Sequence, residues 1–236
     1  MFLDRGSIDL VLVPCGLAIM FTYHLILLYR ILYYPETTVV GYENHNKLAW
    51  VERMLQATGE ETSLALSVIS SSTSASSNLA SLSIALSSLI GTLVAGSSAD
   101  QLTAQVIYGD KTRSTTSVKY ISLLVCFLVA FTAFIQSARY FVHSSYLMTT
   151  LGSDLPVGYV QRAVIRGGNF WAAGLRALYF ATVLLMWIFG PIPMFLSSVL
   201  MVGVLHLLDS NSMPLHRHCF HRRPSAAKMV ATFVDT

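Results

Sequence analysis

Long apolar runs alternate with short polar ones along the chain, and the apolar runs have the length of membrane helices rather than of strands. A hydrocarbon core of about 30 Å takes about 20 helical residues. Five runs approach that length. The first covers residues 8–29, interrupted only by Asp9 and His24, and closes on Tyr29, Arg30, Tyr33 and Tyr34, an aromatic and cationic surface anchor. Asp4 offsets Arg5 and no small-residue cleavage site follows, so this run reads as a retained span rather than a signal peptide. The second covers residues 79–95 and follows a serine-rich stretch. Ser63, Ser67, Ser71, Ala75, Ser83, Ser87, Gly91 and Ala95 recur four apart, interrupted only by Leu79. Small residues at that interval let a second helix approach closely in a membrane. The pattern predicts one long helix from about Glu61 to Gly96, its first half outside the bilayer.

The third run, residues 118–136, continues without a breaker toward Thr149 and also exceeds the hydrocarbon core. The fourth and fifth, residues 170–189 and 193–208, are separated by Gly190-Pro191-Ile192-Pro193, which is strong turn punctuation. A continuous helix over both would be close to 60 Å long at about 1.5 Å per residue, twice the core thickness. Two spans joined by a tight turn are therefore expected, with a pair of re-entrant half-helices as the alternative. Pro35-Glu36-Thr37-Thr38 predicts a turn. Leu48, Val51, Met54 and Leu55 predict a short amphipathic helix over residues 47–56, packed on the bundle or lying on the membrane. Residues 152–166 read as a loop. Gly109-Asp110-Lys111-Thr112 lacks the upstream glycine of a phosphate loop.

Composition sharpens this picture. Of 236 residues, 54% are hydrophobic and only 11% charged, against about 25% charged in an ordinary soluble domain. Mean hydropathy is +0.59. A soluble enzyme, a disordered chain and a disulfide scaffold are excluded on these grounds, and three scattered cysteines make no framework. The predicted fold class is all-α: a multi-pass membrane bundle of about five transmembrane helices, with helices two and three extended into the cytoplasm. Threading five spans places Arg30, Lys47, Arg53, Arg139, Arg162, Arg166, Arg176, Arg217, Arg222, Arg223 and Lys228 on one side. Arg5, Lys111, Arg113 and Lys119 fall on the other. The eleven-to-four bias predicts a non-cytoplasmic N-terminus and a cytoplasmic C-terminus. Residues 1–210 form the membrane domain in this reading, and residues 211–236 a basic, His-rich cytoplasmic tail.

Alternating spans also collect ionisable groups at one depth. His24, Arg139, His143, Arg176, His206 and Asp209 all fall at the cytoplasmic leaflet, near Glu60 and Glu61. Groups there pair with one another or face water. Candidate inter-helix pairs are His24 with His206, and Arg139 or Arg176 with Glu61 or Asp209. Such a site would bind an anionic lipid head group or small anion through Arg139 and Arg176, or relay protons through His24 and His206. The plainer reading makes the same six residues interface anchors. His216, His218, Cys219 and His221 match no standard zinc spacing. With Arg217, Arg222 and Arg223 they read as a segment attracted to anionic lipid. Asp9 reads as a complement to the first helix's dipole. No metal, cofactor or nucleic-acid partner is expected, and no enzyme signature stands out.

Several motifs resemble a known family. Tyr23-His24-Leu25, Arg30, Pro35-Glu36-Thr37-Thr38-Val39-Val40-Gly41 and Trp50-Val51 are similar to the opening blocks of the domain-of-unknown-function 599 family, a group of plant and bacterial integral membrane proteins. Arg139-Tyr140, the run from Phe170-Trp171 through Arg176-Ala177, and Trp187-Ile188-Phe189-Gly190-Pro191-Ile192-Pro193 resemble its later blocks. The resemblance implies a multi-pass membrane protein and carries no activity. The function expected is a structural or interaction role in a membrane, within a homo- or hetero-oligomer. The alternatives are an oligomeric channel or transporter, and a lipid-modifying enzyme using His24 or His143.

Overall fold

The computed structural model describes residues 5–56, 60–95, 113–150 and 156–213. The basic tail from residue 214 and the segments 57–59, 96–112 and 151–155 lie outside the described residues. Six α-helices follow one another: α1 (Arg5–Tyr33), α2 (Val39–Leu55), α3 (Glu60–Ala95), α4 (Arg113–Thr149), α5 (Val157–Phe189) and α6 (Pro191–Asp209). A short 3-10 turn, Pro35–Thr37, joins α1 to α2. The described residues contain no strand, only an isolated bridge between Thr38 and Ser210. Four of the helices are long and apolar enough to cross a membrane, over Asp9–Tyr33, Thr115–Thr149, Val157–Phe189 and Pro191–Asp209. α3 is of comparable length, but its serines dilute its hydropathy.

The helices alternate in direction. Val13 of α1, Ile90 of α3, Tyr120 of α4, Trp187 of α5 and Met194 of α6 share one core cluster at one end of the bundle. At that end Lys119 lies 5.5 Å over the Trp187 ring, and Trp187 Nε1 donates to Asp9 Oδ1 at 3.4 Å. Asp9 is buried there and lies outside the first turn of α1, so it takes part in a three-helix contact and does not complement the helix dipole. Toward the opposite end the core passes through Leu123, Phe127 and Met20, then Ala80, Ala130, Phe134 and Ala177. Beyond the end of α6 the last turns of α1 continue beside α5, together with α3 and α4. There α2 covers them, burying Val51 and Met54 against Ile69, Phe141, Met148, Val160 and Val164. The described residues form two tiers: α1, α3, α4, α5 and α6 in one, and α2 with α3, α4, α5 and the end of α1 in the other.

The turn after α5 is set by Gly190, whose φ of 145° and ψ of 171° are open in practice only to glycine. Pro191 then starts α6, where its missing N–H costs nothing. The chain folds back, because Arg176, thirteen residues before Phe189, meets Asp209 at the far end of α6.

Three expectations need correction. Residues 157–166 belong to α5 and not to a loop. Gly167 and Gly168 do not break that helix, because their missing side chains make room for neighbours: a Cβ on Gly167 would sit 3.0 Å from the Phe141 ring, and one on Gly168 2.4 Å from Lys47 Nζ. The amphipathic helix α2 is longer than residues 47–56; it begins at Val39, where the Thr38 hydroxyl accepts from Gly41 N at 3.2 Å. The small-residue stripe of α3 is only partly the packed face. Ala65, Ile69, Ser76, Ala80, Ser83, Ser87 and Ile90 are buried, whereas Ser63, Ser67 and Ser71 are exposed. Steps of four residues drift around a 3.6-residue helix, and mixed steps of three and four hold to one face.

Candidate functional site

Tyr23, Arg176 and Asp209 meet at the end of α6, where it lies against α1 and α5. Arg176 donates from Nη1 to Asp209 Oδ2 at 2.7 Å and from Nη2 to Asp209 Oδ1. Tyr23 donates its hydroxyl to Asp209 Oδ2 at 2.6 Å. The fork of a guanidinium matches both carboxylate oxygens at once. The Arg176 and Asp209 side chains are 19% and 8% exposed, so the pair is largely withdrawn from water. Arg176 also lies 5.8 Å from the Tyr179 ring. Asp209 is thus the acceptor that ties three helices together.

A second set of bonds fixes the chain around this carboxylate. Arg30 Nη2 donates to Thr37 O at 2.8 Å, and Asn211 N donates to the same oxygen at 3.1 Å. Asn211 Nδ2 donates to Glu36 O at 3.0 Å. Thr38, fully buried, donates its hydroxyl to Pro35 O at 3.1 Å. A Cβ on Gly41 would stand 2.2 Å from Pro35 O, so only glycine permits α2 to start against the turn. The end of α1, the start of α2 and the residues after α6 are thereby held as one unit.

Cavities flank Arg176. One of about 200 Å³ lies among Asn44, Lys47, Asn169, Arg176, Tyr179 and Asp209. Another of about 340 Å³ lies among His24, Ile31, Val40, Ala172 and Arg176. A larger one, about 550 Å³, opens between α2, α3 and α5 beside Lys47, Trp50, Ser72, Phe141 and Trp171. Lys47 pairs with Glu43 at 3.3 Å, and Asn44 Nδ2 donates to Asn169 Oδ1 at 3.0 Å.

Of the six residues singled out from the sequence, Arg176 and Asp209 are brought together. His24 lies beside them: its Nδ1 bonds Met20 O at 2.7 Å, its ring packs 4.8 Å from Phe180, and its Nε2 is buried without a hydrogen-bond partner. His206 and His143 are exposed, so His24 and His206 form no pair. Arg139 is exposed and reaches only Gln136 Oε1 at 3.4 Å, three residues before it on the same helix. It shares no contact with Arg176, Glu61 or Asp209. Among the described residues no three His, Cys, Asp or Glu side chains are grouped to hold a metal ion.

Tyr23 is the residue that reasoning from sequence missed. Its signal was available: Tyr23 and Arg30, seven apart, share a helix face. The serine contacts between helices are also absent from the pattern reading. Ser137 Oγ on α4 donates to Gly167 O on α5 at 2.8 Å and lies 3.1 Å from Ser76 Oγ on α3.

Apolar helices of this length, closed by a buried ion pair at one end of their common tier, define an integral membrane protein of the all-α class. The family model described as "Protein of unknown function, DUF599" matches residues 11–214, and the chain belongs to that family. No curated protein and no solved structure matches it.

Proposed function

We propose that the chain is a five-span membrane protein with a structural or interaction role, its α2 tier on the cytoplasmic side. The span count is supported by a connectivity argument. α1 begins beside Lys119 near the start of α4, through their shared neighbour Trp187. If α1 and α4 both cross in the same direction, the chain between them must cross back, and α3 is the helix available. The basic bias of the sequence supports a cytoplasmic C-terminus and a non-cytoplasmic N-terminus.

One observation carries the role: Tyr23, Arg176 and Asp209 hold one another at the mouth of the bundle, and an apolar core is packed below them. Arg176, Tyr23 and Asp209 form a closed set, and Met20, Leu123, Phe127 and Leu184 pack below. A transport path within one copy would need a line of unpaired polar groups along that axis, and beside the ion pair only one buried atom, His24 Nε2, stands without a partner among the described residues. The reading is tested by reconstituting the full chain in liposomes and cross-linking it in its native membrane. Cross-linked species above the monomer, with no proton or ion flux, are expected. Flux that disappears in Asp209→Asn would replace the structural role with transport.

A further inference from the structure

The seam between α4 and α5 carries a second feature, on residues the ion pair does not use. Val125, Leu128, Val129, Thr132, Gln136 and Phe170 line an open groove of about 460 Å³. It is apolar along its length and ends on the amide of Gln136. From Val125 to Gln136 the helix rises about 17 Å, close to the depth of one leaflet of a hydrocarbon core of about 30 Å. Just past that end the chemistry changes. Arg139 reaches Gln136, Tyr140 stacks on Phe170 with ring centroids 5.6 Å apart, and Arg166 lies 5.9 Å from the Tyr140 ring.

Helical spacing continues the groove face of α4 through Arg139 and His143. It continues the Phe170 and Ala173 face of α5 back through Arg166 and Arg162. All four basic residues are exposed. The ion pairs of the described residues, Lys47 with Glu43 and Arg176 with Asp209, include none of them. Arginines without acidic partners at the end of an apolar groove are complementary to a molecule with an acyl chain and a phosphate.

We propose that this seam binds an anionic phospholipid, with an acyl chain along Val125, Val129 and Phe170 and its phosphate at Arg139 and Arg166. The proposal rests on reading α4 and α5 as membrane spans and is independent of the span count and of the structural role. It also separates the two arginines paired from the sequence: Arg176 is held by Asp209, and the lipid's cations are Arg139 and Arg166.

The test is native mass spectrometry of the full chain, exchanged into nanodiscs containing equal amounts of phosphatidylglycerol and phosphatidylcholine. Retention of phosphatidylglycerol over phosphatidylcholine is expected. Arg139→Gln with Arg166→Gln should lower that preference about thirtyfold, since each cation near an anionic surface contributes a factor of about five. Val129→Trp, at an exposed position, should fill the groove and displace the lipid without disturbing the core. Arg53→Gln, which removes an exposed cation on α2, should leave retention unchanged. Helicity measured for each variant separates lost lipid from lost fold. Equal retention of the two lipids overturns the proposal. So does an equal effect of Arg53→Gln, or a Val129→Trp change that abolishes a dimer while leaving lipid retention intact.

Discussion

Asp209 receives bonds from two helices besides its own, and its loss orphans both donors. Asp209→Ala leaves a largely buried guanidinium without its counter-charge. Removing one partner of a buried pair costs about 3–5 kcal/mol, and residual exposure of Arg176 puts this case toward the low end. Tyr23→Phe removes one hydrogen bond and should cost on the order of 1 kcal/mol, the scale measured inside membranes. His206→Ala, at an exposed side chain, should change nothing. Denaturant unfolding in detergent should return that order; a Tyr23→Phe effect equal to that of Asp209→Ala would remove the carboxylate from the centre of the cluster. That Arg176 and Asp209 meet was legible because alternating spans fix which residues share a level. Which way each candidate points around its helix was not, since that depends on neighbours the periodicity leaves unnamed. Arg139, His143 and His206 are exposed on outer faces, and Arg139 and His143 lie past Ser137, which meets Gly167, roughly two and a half turns of α5 from Arg176. Asp9 was misread for the same reason: its partner Trp187 lies 178 residues away.

At the scale of the element, α3 separates two kinds of small residue. Ser87 is buried against the bundle, whereas a Cβ on Gly91 would meet only Leu124 Cδ1 at 3.9 Å. Ser87→Leu should therefore destabilise by about 1–3 kcal/mol through overpacking, and Gly91→Ala should be tolerated. Ser87→Ala should be neutral or stabilising, because the hydroxyl is buried without a partner. Thermal stability in detergent checks all three; a loss on Ser87→Ala would mean that its hydroxyl is bonded. At the turn, Gly190→Ala should cost about 1–3 kcal/mol, the scale for a side chain forced into that backbone region. An unchanged melting temperature would count against the observed turn. Long helices were legible here from uninterrupted apolar patterning, and the Gly-Pro turn from its residue types. The start of α5 was not, because a Gly-Gly pair reads as a breaker until Phe141 and Lys47 are known to occupy the space it leaves.

Across the whole molecule, the two tiers follow from unequal helix lengths. α6 has 19 residues, about 28 Å at 1.5 Å per residue, which matches a bilayer core. α4, with 37 residues, is roughly twice that length. The all-α membrane class was legible from the length of the apolar runs together with the composition. The α2 cover was only half legible, since an amphipathic face does not say whether it meets lipid or protein; Val51 and Met54 meet protein. The central claim is that α3 crosses the membrane and brings both tiers into one alternating five-span path. The sequence contains no Asn-X-Ser/Thr acceptor, so one engineered acceptor gives an unambiguous reading. Placed in the segment 96–112, it should be glycosylated in a eukaryotic membrane, while the same acceptor appended after Thr236 should remain unmodified. Modification after Thr236 with none in 96–112 would contradict the five-span path.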